Sequence, residues 1–152
     1  MKAIFASTSF PALVDLNTPP ALGAKGLRTI CKSTPPFRLR RLRIYIEEKD
    51  NLKAFTEWPG LESVREFDLH NSLIRDRAGI LFRAPRLAEL RVLRIEMMGN
   101  KPAEVSAFDA LAADTSLLPK LTHLHLQWAR NVIPDATLDE LRARFGDGFT
   151  SN

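Results

Sequence analysis

The sequence predicts an α/β fold, with a parallel sheet on one side and helices on the other, and three observations predict it. The first is a short pattern (apolar, two residues, apolar, one residue, apolar). It recurs as Leu39-Arg-Arg-Leu42-Arg-Ile44, Val64-Arg-Glu-Phe67-Asp-Leu69, Leu90-Arg-Val-Leu93-Arg-Ile95 and Leu121-Thr-His-Leu124-His-Leu126. The second is its spacing. With a weaker copy, Leu13-Val-Asp-Leu16-Asn-Thr18, the copies start at 13, 39, 64, 90 and 121, which is 26, 25, 26 and 31 residues apart. The third is that between copies the apolar spacing shifts from 2 toward 3–4, the mark of a helix. A strand, a turn and a helix in so short a unit cannot bury their own apolar faces, so neighbouring units stack.

The first unit opens on the weaker copy, whose third slot is Thr18, and continues into a helix over Ala21–Lys32 carrying Leu22, Leu27, Ile30 and Cys31. The second pairs its strand with a helix over Asn51–Trp58, marked by Leu52, Phe55 and Trp58. The third continues into Asn71–Phe82, marked by Leu73, Ile74, Ile80 and Leu81. The fourth has a helix over Ser106–Leu118, and its five extra residues fall around Gly99–Val105 as a longer loop. The fifth ends in a helix over Asp135–Phe145, the expected cap of the carboxy-terminal end; nothing obvious caps the first unit. Ser106 and Asp135 suit N-cap positions and Gly146 a helix stop. Proline often precedes the pattern, at Pro11, Pro59, Pro85 and Pro119, where it ends a helix and starts an extended stretch.

The units at 39–44, 90–95 and 121–126 resemble leucine-rich repeats of the helix-containing, ribonuclease-inhibitor-like subclass, over roughly residues 10–145. The resemblance implies a right-handed solenoid of about five divergent repeats, its parallel sheet concave and its helices convex. That family places Asn or Cys three residues after the third apolar position. Here those positions hold Ala21, Glu47, Ser72, Met98 and Ala129, while Asn71, Asn100 and Asn131 lie one or two residues off register. The Pro-x-Leu-x-x-Leu units also resemble the repeat region of fungal and plant F-box proteins, whose repeats select substrates for a ubiquitin ligase. Residues 1–12 are too few for an F-box, so that resemblance implies a carboxy-terminal piece or a repeat-only relative.

Side chains alternate faces along a strand, so the residues between the apolar ones form three exposed rows. The first is Asp15, Arg41, Glu66, Val92, His123; the second is Asn17, Arg43, Asp68, Arg94, His125. The third is Pro19, Tyr45, His70, Glu96, Gln127, with Trp128 just beyond. Tyr, Trp and Arg are the residues most enriched at binding hot spots. The candidate partner-binding residues are therefore Arg41, Arg43, Tyr45, Glu66, Asp68, His70, Arg94, Glu96, His123, His125, Gln127 and Trp128. The plainer reading of the same rows is an exposed sheet registered by opposite charges, Arg41 with Glu66 and Asp68 with Arg43 and Arg94.

Other chemistry finds less support. His123 and His125 with Glu96 are the one conceivable metal set, but paired exposed histidines are ordinary surface residues, and no metal or cofactor is expected. No Gly-x-Ser-x-Gly elbow, His-Glu-x-x-His or glycine-rich phosphate loop occurs, and Cys31 sits on an apolar helical stripe, so no catalytic residues are expected. The acids at Glu47/Glu48 and Asp139/Glu140 read as turn or early-helix residues.

Composition sets the outer bounds. The 152 residues are 45% apolar and 26% charged, a globular mixture expected to form a single domain. One cysteine excludes an internal disulfide framework. Residues 1–45 carry eight Lys/Arg against one acid, and residues 46–152 carry 14 against 17. The surplus sits largely in Arg38–Arg43, where interleaved leucines mark a strand, so nucleic-acid binding is an alternative rather than the leading reading. An uncapped repeat fragment without activity of its own is another. The amino terminus is too polar for a signal peptide, and no apolar run is long enough to span a membrane. A monomeric, non-catalytic protein-binding module of the cytoplasm or nucleus is the expectation.

Overall fold

The computed structural model describes residues 14–18, 23–34, 38–46, 49–70, 77–97, 103–129 and 132–152. They form an α/β fold with one six-stranded parallel sheet in sequential order. The elements are β1 (Asp15–Asn17), α1 (Gly23–Cys31), β2 (Arg41–Ile44), α2 (Lys49–Thr56), β3 (Glu66–Leu69) and α3 (Ala78–Phe82). They continue with β4 (Val92–Glu96), α4 (Val105–Ala113), β5 (His123–Gln127), α5 (Asp135–Phe145) and β6 (Phe149–Ser151).

The apolar pattern sets the register. Leu42, Phe67, Leu93, Leu124 and Phe149 stand side by side on successive strands, as do Ile44, Leu69, Ile95 and Leu126. All nine are buried, and they share one core with Leu27, Ile30, Leu52, Phe55, Leu81, Phe82, Phe108, Leu111, Leu138 and Leu141 of the helices. The helices therefore cover one face of the sheet. Aromatic rings fill the space between layers: Phe55 stacks on Phe67 at 5.5 Å, and Phe82 meets Phe108 edge-on at 5.2 Å.

A repeated backbone motif fixes where each strand begins. The Val14 carbonyl accepts from the N–H groups of Arg40 and Arg41 at 2.8 and 3.0 Å. The carbonyl of Arg40 accepts in the same way from Arg65 and Glu66, that of Arg65 from Arg91 and Val92, and that of Arg91 from Thr122 and His123. The first apolar residue of each copy thus lies ahead of its strand.

Several boundaries differ from the sequence reading. The Asn51–Trp58 helix runs over Lys49–Thr56, and Trp58 lies outside it, its indole N–H donating to the Ser33 carbonyl at 2.9 Å. The Ser106–Leu118 helix ends at Ala113, well before Leu118, whose φ of +49° is not helical. Neither expected N-cap holds. Glu104 and Pro134 occupy those positions, Ser106 and Asp135 are already helical, and neither cap makes a side-chain hydrogen bond. Pro59-Gly60-Leu61 and Pro85-Arg86-Leu87 form 3₁₀ turns rather than extended stretches, with proline at the first turn position where its missing N–H costs nothing.

Gly146 does stop α5, at φ +54°. Beyond it the chain adds β6 to the sheet, so α5 is not the last element at that end. The Ala21–Lys32 helix is α1, ending at Cys31; Ala21 and Leu22 lie outside the described residues, as do Leu13, Pro19 and residues 1–12. Of the helix read over Asn71–Phe82, residues 71–76 lie outside the description and α3 covers the rest. Glu47, Glu48, Ser72, Met98, Asn71, Asn100 and Asn131 also fall outside it, as does most of the loop around Gly99–Val105.

Candidate interaction surface

The strand residues that alternate with the buried ones form the other face of the sheet, and their register matches the rows read from the sequence. Asp15, Arg41, Glu66, Val92 and His123 are successive partners, and so are Asn17, Arg43, Asp68, Arg94 and His125. Glu96 pairs with Gln127, while Tyr45 and His70 follow directly after β2 and β3. The exposed face is thereby a short lattice of charged, imidazole and amide groups.

Ion pairs knit its middle. The Arg41 guanidinium lies between Asp15, at 3.5 Å, and Glu66, at 3.0 Å. Arg43 pairs with Asp68 at 3.4 Å, whereas Arg94 reaches diagonally to Glu66 at 3.7 Å instead of to Asp68. His70 Nδ1 is 2.8 Å from Glu96 Oε2 and 3.1 Å from Arg43 Nη2. With a proton on that nitrogen it donates to Glu96; without one it accepts from Arg43.

Glu96 is therefore engaged by His70 rather than by His123 and His125. Those two rings stack at 6.3 Å; His123 Nδ1 lies 2.9 Å from Thr122 Oγ1, and His125 Nδ1 lies 2.7 Å from Thr150 Oγ1. Among the described residues, no group of three His, Cys, Asp or Glu gathers closely enough to hold a metal ion. Trp128 directly follows β5, 42% exposed, with a left-handed backbone at φ +60°. For a bulky residue that conformation is strained. The Asn152 side chain holds it there, accepting the Trp128 N–H at 3.0 Å.

No family model, curated protein or solved structure matches this chain. The site must be read from its own chemistry.

Its electrostatics follow from contact and burial. The Glu66 carboxyl is held below its ordinary range, first by the Arg41 hydrogen bond, which outweighs the opposing burial, and then by the charges of Arg41 and Arg94. His125 is pushed below the usual imidazole value, chiefly by burial and then by the positive charges of Arg94 and His123. The face thus keeps its carboxylate ionised and favours a neutral His125 near neutral pH.

Two features of this region escape the sequence reading. Thr150 and Asn152 reach the surface through β6, which carries only Phe149 in a strand slot; the signal was its place 25 residues after Leu124. The other is a further row just ahead of the strands: Arg40, Arg65 and Arg91, the second residue of three consecutive copies.

Proposed function

We propose that this chain is a non-catalytic module that binds a protein partner through the open face of its sheet. In this reading the strands and helices form one domain, a short right-handed solenoid of divergent leucine-rich repeats with a concave sheet and convex helices. It acts as a monomer in the cytoplasm or nucleus. Its most specific form, substrate selection for an F-box-type ubiquitin ligase, follows only from the resemblance of the Pro-x-Leu-x-x-Leu units.

The observation that carries the proposal is the contrast between the two sheet faces. One is sealed under the helices; the other leaves Arg43 and Arg94 each with 44% of the side chain exposed, among Tyr45, His70, His123 and His125. Exposed arginine set among aromatic and imidazole rings on a hydrogen-bonded sheet suits protein recognition, because the backbone that presents these groups is ordered before docking. Trp128, exposed and locked at the strand end, adds an anchor of the kind that dominates interfaces. A non-catalytic role accords with Cys31, whose thiol burial pushes up to about 11, far from a reactive thiolate. No helix among the described residues is long and apolar enough to cross a membrane.

The test is quantitative affinity capture from cells, comparing the native chain with Arg43→Glu/Arg94→Glu, after circular dichroism shows that both are folded. Loss of the captured partners in the double reversal is expected. An unchanged partner list overturns the proposal.

A further inference from the structure

We infer that the arginine row at the start of the strands is a second contact site, which takes an extended acidic segment of a protein partner with two carboxylates three residues apart. This rests on the protein-binding reading above and names the chemistry of the partner.

The fold builds the row. Each strand begins where one carbonyl accepts two N–H groups from the next unit, and residues 40, 65 and 91 occupy that same position in consecutive units. With one strand spacing between neighbours, Arg40 and Arg91 stand roughly 10 Å apart at the backbone, with Arg65 between them. Together with Arg41, Asp15 and Glu66 they line an open cleft of about 420 Å³.

The charges in that cleft do not balance. Four arginines face two carboxylates, and both carboxylates are already engaged by Arg41, at 3.5 and 3.0 Å. Arg65 is held from outside the cleft by Glu89 at 3.1 Å. Arg40 and Arg91 are exposed and form no ion pair with a described residue. Glu89, outside the cleft, feels the charge of Arg91 as well as that of Arg65; within the cleft the four arginines outnumber the two carboxylates by two, and Arg40 and Arg91 are the first and last residues of the row.

Guanidinium matches carboxylate through paired, parallel N–H···O bonds, so two carboxylates satisfy two arginines. An extended segment in polyproline conformation repeats its face every three residues, advancing about 9.3 Å, close to the separation of Arg40 and Arg91. A nucleic-acid strand carries the right charge but stacks its bases on aromatic rings, and no aromatic side chain lines this cleft.

Fluorescence anisotropy with a labelled Gly-Glu-Pro-Pro-Glu-Gly peptide tests this directly. The native protein is expected to bind it, and binding is expected to fall by roughly tenfold or more in Arg40→Gln/Arg91→Gln and for the Gln-Pro-Pro-Gln peptide, while Lys53→Gln, on the exposed side of α2, leaves it unchanged. No measurable binding, equal binding of the glutamine peptide, or full binding by the double variant overturns the inference. Polyuridylate displacing the peptide and binding more tightly overturns it in favour of a nucleic acid. Partner capture that survives Arg40→Gln/Arg91→Gln but is lost with Arg43→Glu/Arg94→Glu removes this site and leaves the sheet-face reading standing.

Discussion

Arg41 grips Glu66 across neighbouring strands with two sides of its guanidinium, Nε donating to Oε2 and Nη2 to Oε1, each at 3.0 Å. The pair ties β2 to β3 on the face that no helix covers, alongside the Arg43–Asp68 pair and the backbone hydrogen bonds of the two strands. It also makes a statement about pH. The folded-state Glu66 carboxyl titrates below its ordinary value of 4.5, so the stability it contributes is complete above that pH and is lost as pH falls through the depressed value. Arg41→Gln is expected to lower the melting temperature at neutral pH and low salt, with the gap closing as pH falls through the depressed Glu66 value and shrinking as salt rises. A gap that persists in acid would mean that Arg41 acts through packing rather than through Glu66.

His125 adds a second loss of stability toward acid, beginning at a higher pH. Burial, then Arg94 and His123, hold its folded-state value below the ordinary 6.5, so the unfolded chain takes up the proton first. Stability from this residue is complete above about pH 6.5 and declines as pH falls toward the depressed value. His125→Gln is expected to flatten that decline, and in an NMR titration Arg94→Gln is expected to raise the His125 midpoint. A His125 midpoint at or above that of a free imidazole would contradict this.

The sixth strand depends on one close approach. A Cβ at Gly148 would overlap the backbone carbonyl oxygen of Thr122, which cannot move without disturbing the entry to β5. Gly148→Ala is expected to cost about 1–3 kcal/mol, as overpacking does, and to detach β6. Hydrogen exchange should then report the loss as faster exchange at Asn152, whose N–H donates to the Leu126 carbonyl, and at Trp128. Unchanged protection at both amides would show that β6 tolerates the extra carbon.

Trp58 joins two successive units from the helix side. It is 1% exposed, and its indole N–H crosses to the Ser33 carbonyl at the end of α1. Trp58→Phe keeps most of the apolar bulk and strands that carbonyl, at a cost of about 1–3 kcal/mol; Trp58→Ala should cost about 3–5 kcal/mol. Urea unfolding monitored by far-ultraviolet circular dichroism measures both. Equal losses in the two variants would show that the hydrogen bond, rather than packing around Trp58, sets its contribution.

The strand positions and the three exposed rows were legible because a period-2 apolar pattern repeated at 25–26 residues fixes both register and face. Helix ends were less so. Trp58 has the spacing of a helical residue, yet its indole is drawn to Ser33, and Leu118 is buried by a turn rather than by a helix. Local spacing reports burial, and several backbone paths bury the same side chain. The β6 strand was missed because it offers a single large apolar residue, Phe149, and its pairing depends on β5 more than on its own pattern. The Arg40, Arg65 and Arg91 row was hidden for a related reason: the residues alternate with buried ones only once the preceding turn is included.

The most direct measurement of recognition through the sheet is site-specific photo-cross-linking in cells. A benzophenone side chain placed at Arg43 or Arg94 is compared with one at Lys53 on α2 or Glu140 on α5, exposed positions on the helices that cover the opposite face. Recognition through the sheet gives a discrete cross-linked partner from Arg43 and Arg94 and none from Lys53 or Glu140. The same partner captured from the helix positions, with none from the sheet, would contradict it.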